Sequence, residues 1–248
     1  MPSSSHRPRK RFGQHFLHDP RILEKIVDAL ELQPADCVVE IGPGEGALTR
    51  LLLAKTPNVE TIEIDRDLAA GLVRENIKVH QADALEFDYA VFPRGVRIVG
   101  NLPYNISTPL LFYLARFAER VRDMHFMLQL EVVERMVARH STPEYGRLSV
   151  ALQARFKMKK LFNVSKGAFK PPPKVESAVV RLEPLPQIMQ IDEDLLRKAF
   201  SARRKTLRNA LPGIDFAALG IDPGLRPENL SPDDYLRVSS ASSAARRT

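Results

Sequence analysis

Short apolar runs alternate with amphipathic stretches through the first 140 residues of the chain. Between residues 20 and 32 the apolar side chains recur at three- and four-residue spacing, which is typical of one buried helix face. Residues 37–41 form a short, mainly apolar run that is followed by glycines, which is typical of a buried strand. By the same criteria the pattern predicts helices at 47–55, 67–76, 109–120 and 131–140, and strands at 59–65, 78–81, 96–100 and 125–130. Strands and helices that alternate at these lengths predict an α/β fold, a parallel sheet with helices on both faces.

The later part of the chain has a different pattern. Two further strands are predicted at 151–158 and 177–182, on either side of three consecutive prolines, and we expect them to form an antiparallel pair at the end of the sheet. Pro184 and Pro186 then interrupt the chain and indicate a domain boundary. Beyond them the sequence predicts helical pieces, beginning with 192–211, and no strand. The predicted organisation is a basic flexible arm at 1–11, a main domain at 12–184, a small helical domain at 185–238 and a disordered tail at 239–248.

The composition is that of an ordinary globular protein, with 44% hydrophobic and 27% charged residues. Cys37 is the only cysteine, so the chain can form neither an internal disulfide nor a cysteine-based zinc site. No apolar run is long enough to span a membrane, and the first ten residues do not resemble a secretory signal. We therefore expect a cytoplasmic, monomeric protein without a metal site.

The net charge of +7 is unevenly distributed. Residues 1–11 carry four basic side chains and no acidic one, and residues 155–211 carry 14 basic and 5 acidic side chains. Clustered basic side chains favour a phosphate backbone through the release of counterions. They are equally compatible with a solvated basic surface that has no partner.

A glycine-rich loop follows the first strand of the predicted parallel sheet. Gly42, Gly44 and Gly46 lie between that strand and the next helix, where glycines allow a tight turn and the close approach of a ligand. A dinucleotide site has glycines at Gly-x-Gly-x-x-Gly spacing, whereas this loop has Gly-x-Gly-x-Gly. Glu40 and Glu45 beside it disfavour a pyrophosphate and favour a ligand with a cationic amine or sulfonium. The loop therefore argues against a nicotinamide oxidoreductase.

Acidic side chains stand at the ends of the next two predicted strands. Glu63 is placed to accept hydrogen bonds from both hydroxyls of a ribose, and Asp83 to accept one from the amino group of an adenine. Each could by itself be a surface or capping residue. Because the carboxyl ends of parallel strands share one edge of the sheet, we expect both to meet the glycine loop there.

The tetrapeptide Asn101-Leu102-Pro103-Tyr104 follows the fourth predicted strand. The exocyclic amine of adenine is a weak nucleophile because its lone pair is delocalised into the ring. The side-chain oxygen of Asn101 and the main-chain carbonyl of Leu102 can draw this nitrogen towards tetrahedral geometry. Pro103 stiffens the direction of the carbonyl, and Tyr104 can stack on the isolated base. The tetrapeptide alone is also compatible with a plain turn, but after the cofactor-type series it predicts methyl transfer to an adenine amine.

These motifs resemble the ribosomal RNA adenine N6,N6-dimethyltransferases, and specifically the bacterial small-subunit group associated with kasugamycin resistance. The resemblance covers nearly the whole chain. It rests on the glycine loop and on the segments 9–17, 63–67, 101–109, 145–150, 169–179 and 203–209.

The resemblance implies a Rossmann-like class I methyltransferase sheet that binds S-adenosylmethionine. It implies dimethylation of two adjacent adenosines in a 3′-terminal hairpin of small-subunit rRNA, within a pre-ribosomal small subunit. It implies that Phe169 and Tyr104 enclose the target base. The implied cofactor contacts are His15, Leu17, Gly42, Gly44, Glu63, Asp83 and Asn101. His15 departs from the family, which often has asparagine at this position.

A basic cluster late in the chain fits an RNA substrate. Arg203, Arg204, Lys205 and Arg208 are predicted to lie on one or two helical turns, where they would grip the RNA backbone. Two alternatives remain open. One is a large-subunit rRNA adenine dimethyltransferase, and the other is an rRNA-binding assembly factor that keeps the fold without catalysis.

Overall fold

The computed structural model of the protein describes residues 14–245. The basic arm predicted at 1–11 lies outside these residues, as do the last three residues of the predicted tail. The strands are β1 (Phe16–Leu17), β2 (Val38–Ile41), β3 (Val59–Glu63), β4 (Lys78–Gln81), β5 (Val96–Asn101), β6 (Val121–Gln129), β7 (Phe156–Val164), β8 (Phe169–Lys170) and β9 (Ser177–Pro184). The helices are α1 (Pro20–Leu30), α2 (Ala47–Leu53), α3 (Arg66–Arg74), α4 (Ser107–Leu114), α5 (Leu130–Val137), α6 (Arg147–Gln153), α7 (Glu193–Ser201), α8 (Leu207–Ala210) and α9 (Pro232–Ala245).

The main sheet has the strand order β4-β3-β2-β5-β6-β9-β7. The pairs from β4 to β6 are parallel, which confirms the predicted parallel sheet. Strand β9 pairs antiparallel with β6, and β7 lies beside β9 at the end of the sheet. The strand order reverses between β2 and β5, because the chain runs from β2 outwards to β4 and then returns to the other side of β2. Open α/β sheets bind their ligands at the carboxyl ends of the strands beside such a reversal.

The local sequence explains why the elements beside this edge form where they do. Helix α1 begins at Pro20, where the side chain of Asp19 accepts the N–H of Arg21, and it ends at Glu31 in a left-handed conformation. Its buried face packs on the sheet through Leu23, Ile26, Val27 and Leu30. Strand β2 is buried along its whole length, as its mainly apolar sequence predicts, and Glu40 is buried with it.

A short ribbon that the sequence pattern did not predict fastens the first described residues to the sheet. Strand β1 pairs antiparallel with β8, so that Phe16 lies opposite Lys170 and Leu17 opposite Phe169. The N–H of His18 continues this contact by donating to the carbonyl of Ala168 at 2.9 Å. Residues 15–17 are thereby held beside the carboxyl edge of the sheet.

The strand predicted at 151–158 is wrong in its first half. Residues up to Gln153 belong to helix α6, and the strand begins at Phe156 and continues to Val164. The apolar run from Val150 to Leu152 is buried, and a short buried run has the same composition in a helix as in a strand.

The described chain divides into two compact units. The first contains residues 14–133 and 159–183, and the second contains residues 134–158 and 184–245. The sequence placed 134–158 with the sheet, whereas here this segment joins the C-terminal residues. Within the second unit, the hydroxyl of Tyr145 donates to the carbonyl of Leu230 at 2.9 Å, and α6 packs against α7 and α9.

The disordered tail predicted from residue 239 is wrong as far as residue 245. Helix α9 extends to Ala245 through an alanine-containing stretch that favours a helix. The hydroxyl of Ser239 accepts the N–H of Asp192 at 2.8 Å, which ties this helix to the start of α7.

Candidate active site at the carboxyl edge of the sheet

A cavity of about 200 Å³ opens where β2, β3, β4 and β5 end. It brings together the tetrapeptide from Asn101 to Tyr104 and six of the seven predicted cofactor contacts. These six are His15, Gly42, Gly44, Glu63, Asp83 and Asn101. The seventh, Leu17, lies at an adjoining cavity instead.

The glycine loop is closed around the carboxylate of Glu63. The N–H of Gly44 donates to Glu63 Oε2 at 3.2 Å, and the N–H of Asp65 donates to Oε1 at 2.8 Å. Gly44 has φ 57°, and a Cβ there would lie 2.8 Å from a ring carbon of Phe16, so only glycine fits. Burial raises the pKa of Glu63, although both amide bonds favour its ionised form. The carboxylate is therefore fixed in position by main-chain amides.

Asp83 is half-buried after the end of β4. Its Oδ1 accepts the N–H of Leu85 at 2.8 Å, which fixes the plane of the carboxylate. Within the described chain Oδ2 accepts no hydrogen bond from the protein. The arrangement leaves one acceptor at the cavity for a ligand donor such as an amino group.

The amide of Asn101 has a defined orientation. Its Nδ2 donates to the main-chain carbonyl of His15 at 2.8 Å, so Oδ1 remains as an acceptor. Gly100 makes this position possible, since a Cβ there would lie 2.5 Å from the carbonyl oxygen of Ile41. The N–H of Leu102 donates to Met127 at 3.2 Å, while its carbonyl accepts no hydrogen bond from any residue between 14 and 245. Two hydrogen-bond acceptors, Asn101 Oδ1 and the carbonyl oxygen of Leu102, thus follow one another at the end of β5.

Tyr104 presents an aromatic ring to the same cavity. Its hydroxyl lies 2.7 Å from Ser177 Oγ at the start of β9, and burial raises its pKa, so the phenol stays neutral. The imidazole of His15 stacks on this ring, with centroids 5.6 Å apart and planes 27° apart.

Phe169 is not part of this cavity. Its side chain is only 2% exposed and packs in the hydrophobic core with Leu17, Leu23 and Val179. The structure therefore does not bring Phe169 to the face of Tyr104, where the resemblance placed it. The pairing of β8 with β1 holds this apolar side chain in the hydrophobic core.

A second cavity of about 610 Å³ adjoins the first and shares Phe16, Gly42 and Asn101 with it. Glu40 and Glu45 contribute to its lining. Glu40 is buried and accepts the hydroxyl of Thr49 at 2.5 Å. Burial, with a smaller contribution from the charge of Glu63, raises the pKa of Glu40 to about 7. A cation near Glu40 would favour its ionised form.

Several cavity residues were missed by the sequence analysis. They are Gln14, Phe16, Ile41, Ile62, Ile64, Ala82, Ala84, Asn105 and Ile106. Ile64 directly follows Glu63, the acidic residue that ends β3, and this position in the sequence could have indicated a cavity residue. The structure shows its apolar side chain 46% exposed. The others depend on how the chain folds back, which periodicity does not show.

The basic cluster in the second unit lies mainly in a turn rather than a helix. Arg203, Arg204 and Lys205 connect α7 to α8, and Arg208 lies in α8. All four are exposed. Arg203 differs from the others because it donates to the carbonyl of Pro143 at 2.7 Å and pairs with Glu228 at 3.7 Å.

The described part of the chain has neither a metal-binding cluster nor a membrane-spanning helix. Between residues 14 and 245, no three histidine, cysteine or acidic side chains converge in a metal-binding arrangement. No helix in the same range has the length and apolar character needed to cross a membrane.

Comparison with solved structures supports the fold. A dimethyladenosine transferase from Plasmodium falciparum superposes with a TM-score of 0.77 at 30% identity, covering 90% of this chain and 96% of the other. The 23S rRNA methyltransferase ErmE superposes with a TM-score of 0.70 at 28% identity, covering 91% and 98%. The architecture is thus the Rossmann-like class I methyltransferase fold.

Sequence comparison is more specific. The ribosomal RNA small subunit methyltransferase A of Aromatoleum aromaticum is 56% identical, over 95% of this chain and 94% of the relative. The protein with the same name from Thiobacillus denitrificans is 55% identical, over 94% and 97%. A sequence profile described as ribosomal RNA adenine dimethylase matches residues 5–242. This chain belongs to the ribosomal RNA adenine dimethylase family.

Proposed function

We propose that this protein uses S-adenosylmethionine to dimethylate the N6 amines of two adjacent adenosines in the 3′-terminal hairpin of small-subunit rRNA. The observation that carries the proposal is the Asn101 amide, which His15 orients so that its oxygen remains an acceptor beside the free carbonyl of Leu102. Both lie at a cavity that also contains Glu63 and Asp83. Relatives that are 55–56% identical carry the name of a small-subunit rRNA methyltransferase.

The donor sets around the cavity fit the proposed cofactor. Glu63 keeps acceptor capacity at the cavity for a ribose hydroxyl, and Asp83 has Oδ2 left for the adenine amino group. Glu40 and Glu45 at the adjoining cavity suit a ligand that carries positive charge. S-adenosylmethionine supplies, when bound, an electrophilic methyl group on a cationic sulfur.

The protein's part in the reaction is to make the adenine amine nucleophilic. Asn101 Oδ1 and the Leu102 carbonyl accept hydrogen bonds from the two N–H groups of the amine. These bonds favour a tetrahedral nitrogen and localise its lone pair. Tyr104 holds the base by stacking, and its neutral hydroxyl is anchored on Ser177. The alkylated nitrogen can release its proton to solvent, so no general base is needed before transfer. After the first methyl transfer the amine keeps one N–H group. Either acceptor can take a hydrogen bond from this group during the second transfer.

The RNA backbone would be held by the basic turn of the second unit. Arg204, Lys205 and Arg208 are exposed and form no ion pair within the described chain, which leaves them available to phosphates. Arg203 would contribute less, since its guanidinium already contacts Pro143 and Glu228. We infer a cytoplasmic monomer that acts on pre-ribosomal small subunits.

The proposal is tested by incubating the protein and labelled S-adenosylmethionine with immature small subunits or with free large-subunit RNA. We expect label in N6,N6-dimethyladenosine of the small-subunit rRNA. Methylation of large-subunit RNA alone would favour the large-subunit alternative. Absence of any calorimetric signal with S-adenosylmethionine would favour the non-catalytic assembly factor.

A further inference from the structure

A run of exposed lysines distinguishes one side of the first unit. Residues 159–175 contain five lysines and no acidic side chain. All five lysines are exposed, and none of them forms an ion pair or a side-chain hydrogen bond within the described chain. Their ammonium groups are therefore available to an anionic partner.

Lys160 and Lys25 lie on the same side of the main sheet. Lys160 belongs to the edge strand β7, and Phe162 shares its face because side chains alternate along a strand. The ammonium group of Lys25, an exposed residue of α1, lies 4.2 Å from the centre of the Phe162 ring. The ring thus connects helix α1 to the face of β7 that carries Lys160.

Two more lysines lie beside the start of the same helix. Lys166 and Lys170 are each two residues from Ala168, whose carbonyl accepts the N–H of His18 at 2.9 Å. Helix α1 begins two residues after His18. Lys170 also contributes to the lining of the cavity that adjoins the active-site cavity. A positively charged area, here called the lysine surface, thus reaches this cavity and consists of Lys25, Lys160, Lys166 and Lys170.

Protection of the sheet edge explains only part of the lysine surface. A lysine on an edge strand prevents pairing with the edge of another chain, and Lys160 is placed to do so. Lys25 is on a helix, Lys166 precedes β8 and Lys170 lies in it, so these three do not guard the edge of the main sheet. A phosphate backbone fits all four, because lysine binds phosphate as a mobile point charge and releases counterions.

We propose that the lysine surface is a second contact for the phosphate backbone of the RNA, in addition to the basic turn of the second unit. This inference rests on the proposed function, since it takes the substrate to be RNA. A strand that delivers an adenosine to the active-site cavity carries its neighbouring phosphates over the surface around that cavity. Lys170 lies at this point, and the other three lysines continue the positive charge towards α1 and β7. Phosphate contacts position the strand without selecting the target base.

The test compares binding of small subunits by the full-length wild type and by the triple variant Lys25→Gln, Lys160→Gln, Lys166→Gln over a range of salt concentrations. Glutamine removes the charge and keeps part of the aliphatic stem, and Lys170 stays because it lines a cavity. The slope of log K against log salt should flatten by roughly 2.1–2.7, for three lost phosphate contacts. The KM for small subunits should rise, while kcat, the melting temperature and the calorimetric Kd for S-adenosylmethionine should stay at the wild-type values.

Two further variants separate a local contact from a change of net charge. The triple variant Lys25→Arg, Lys160→Arg, Lys166→Arg keeps the charge and should keep the wild-type slope. The matched control Lys55→Gln, Arg74→Gln, Arg116→Gln removes the same charge from exposed positions elsewhere in the first unit and should leave the slope nearly unchanged. If the triple glutamine variant is unstable, Lys160→Gln and Lys166→Gln are measured singly, and each should flatten the slope by roughly 0.7–0.9.

An unchanged slope in the glutamine variants would overturn the inference. Equal flattening in the matched control would also overturn it, because the effect would then come from net charge. Self-association of the glutamine variant at an unchanged slope would assign the lysines to protection of the sheet edge. These results leave the proposed function intact, whereas a wild-type protein that neither binds nor methylates small subunits would overturn the proposed function and the inference together.

Discussion

The carboxylate of Glu63 accepts the main-chain N–H of Gly44 at 3.2 Å, so the end of β3 holds the loop that follows β2. Two motifs that are separate in the sequence are therefore one hydrogen-bonded structure. Because the same carboxylate also accepts Asp65 N–H at 2.8 Å, its position is set from both sides. An alteration at Glu63 should disturb the loop as well as the direct contact with a ribose.

Glu63→Gln should weaken cofactor binding by about 10- to 100-fold. The amide group of glutamine has only one oxygen and presents N–H donors in place of the other, so a ribose hydroxyl loses its acceptor, at a cost of about 1–3 kcal/mol. Calorimetric titration with S-adenosylmethionine measures this change. Glu86→Gln, at an exposed position, is the matched control and should bind like the wild type. Equal affinity in Glu63→Gln would show that the carboxylate does not hold the cofactor.

Glu40 should make the fold less stable as the solution becomes alkaline. Burial raises its pKa in the folded protein to about 7, above the ordinary value of 4.5. The folded state thus binds the proton more tightly, so the stabilisation is fully present below pH 4.5 and is lost as the pH rises through 7. Urea unfolding of wild type and Glu40→Gln between pH 5 and 8 isolates this effect, since other groups cancel in the difference. We expect the free energy of unfolding of the wild type to fall relative to that of Glu40→Gln over that interval. A difference that stays constant with pH would contradict the raised pKa of Glu40.

A buried ion pair at the opposite end of β5 should support the fold without affecting catalysis directly. Arg97 is 2% exposed and donates to both carboxylate oxygens of Asp123, at 3.0 and 2.7 Å, while Nη1 donates to Asp36 at 2.9 Å. Asp123→Ala leaves a buried guanidinium partly unpaired and should cost about 3–5 kcal/mol in the free energy of unfolding. The exposed Asp28→Ala should change it by less than about 0.5 kcal/mol. A similarly small loss in Asp123→Ala would mean that the pair contributes little.

Removing charge from the basic turn should weaken RNA binding in a salt-dependent way. The double variant Arg204→Ala, Lys205→Ala removes two proposed phosphate contacts, so the slope of log K against log salt should flatten by roughly 1.4–1.8. Filter binding from low to moderate salt measures the slope. Arg74→Ala, on an exposed site of α3, serves as the control. An unchanged slope would exclude this turn from the RNA contact.

The sequence predicted the parallel sheet and its ligand edge because both depend on local patterns. The apolar run before Gly42, the acid at 63 and the polar tetrapeptide from Asn101 each end a strand, and parallel strands must end at one edge. The ligand edge can therefore be predicted without any information on long-range contacts. The sequence thus predicted that most of these residues lie at one cavity, as they do in the structure.

Contacts between distant segments could not be predicted in this way. Strands β1 and β8 have two residues each, too few for a periodic signal, and about 150 residues separate them. Their pairing decides that His15 faces Tyr104 and that Phe169 lies in the core. The boundary of α6 was misjudged for a different reason, since a short buried apolar run is compatible with either type of element.

The most direct test of the central claim is mass spectrometry of nucleosides from small-subunit rRNA. The rRNA would come from a strain that lacks its own enzyme and expresses wild type, Asn101→Ala or the exposed control Asn163→Ala. We predict N6,N6-dimethyladenosine with wild type and with Asn163→Ala. Asn101→Ala should lose it, with kcat reduced at least about 100-fold as when a positioned polar group is removed from an active site, while still binding small subunits. Dimethyladenosine missing with wild type, or present at the wild-type level with Asn101→Ala, would contradict the account.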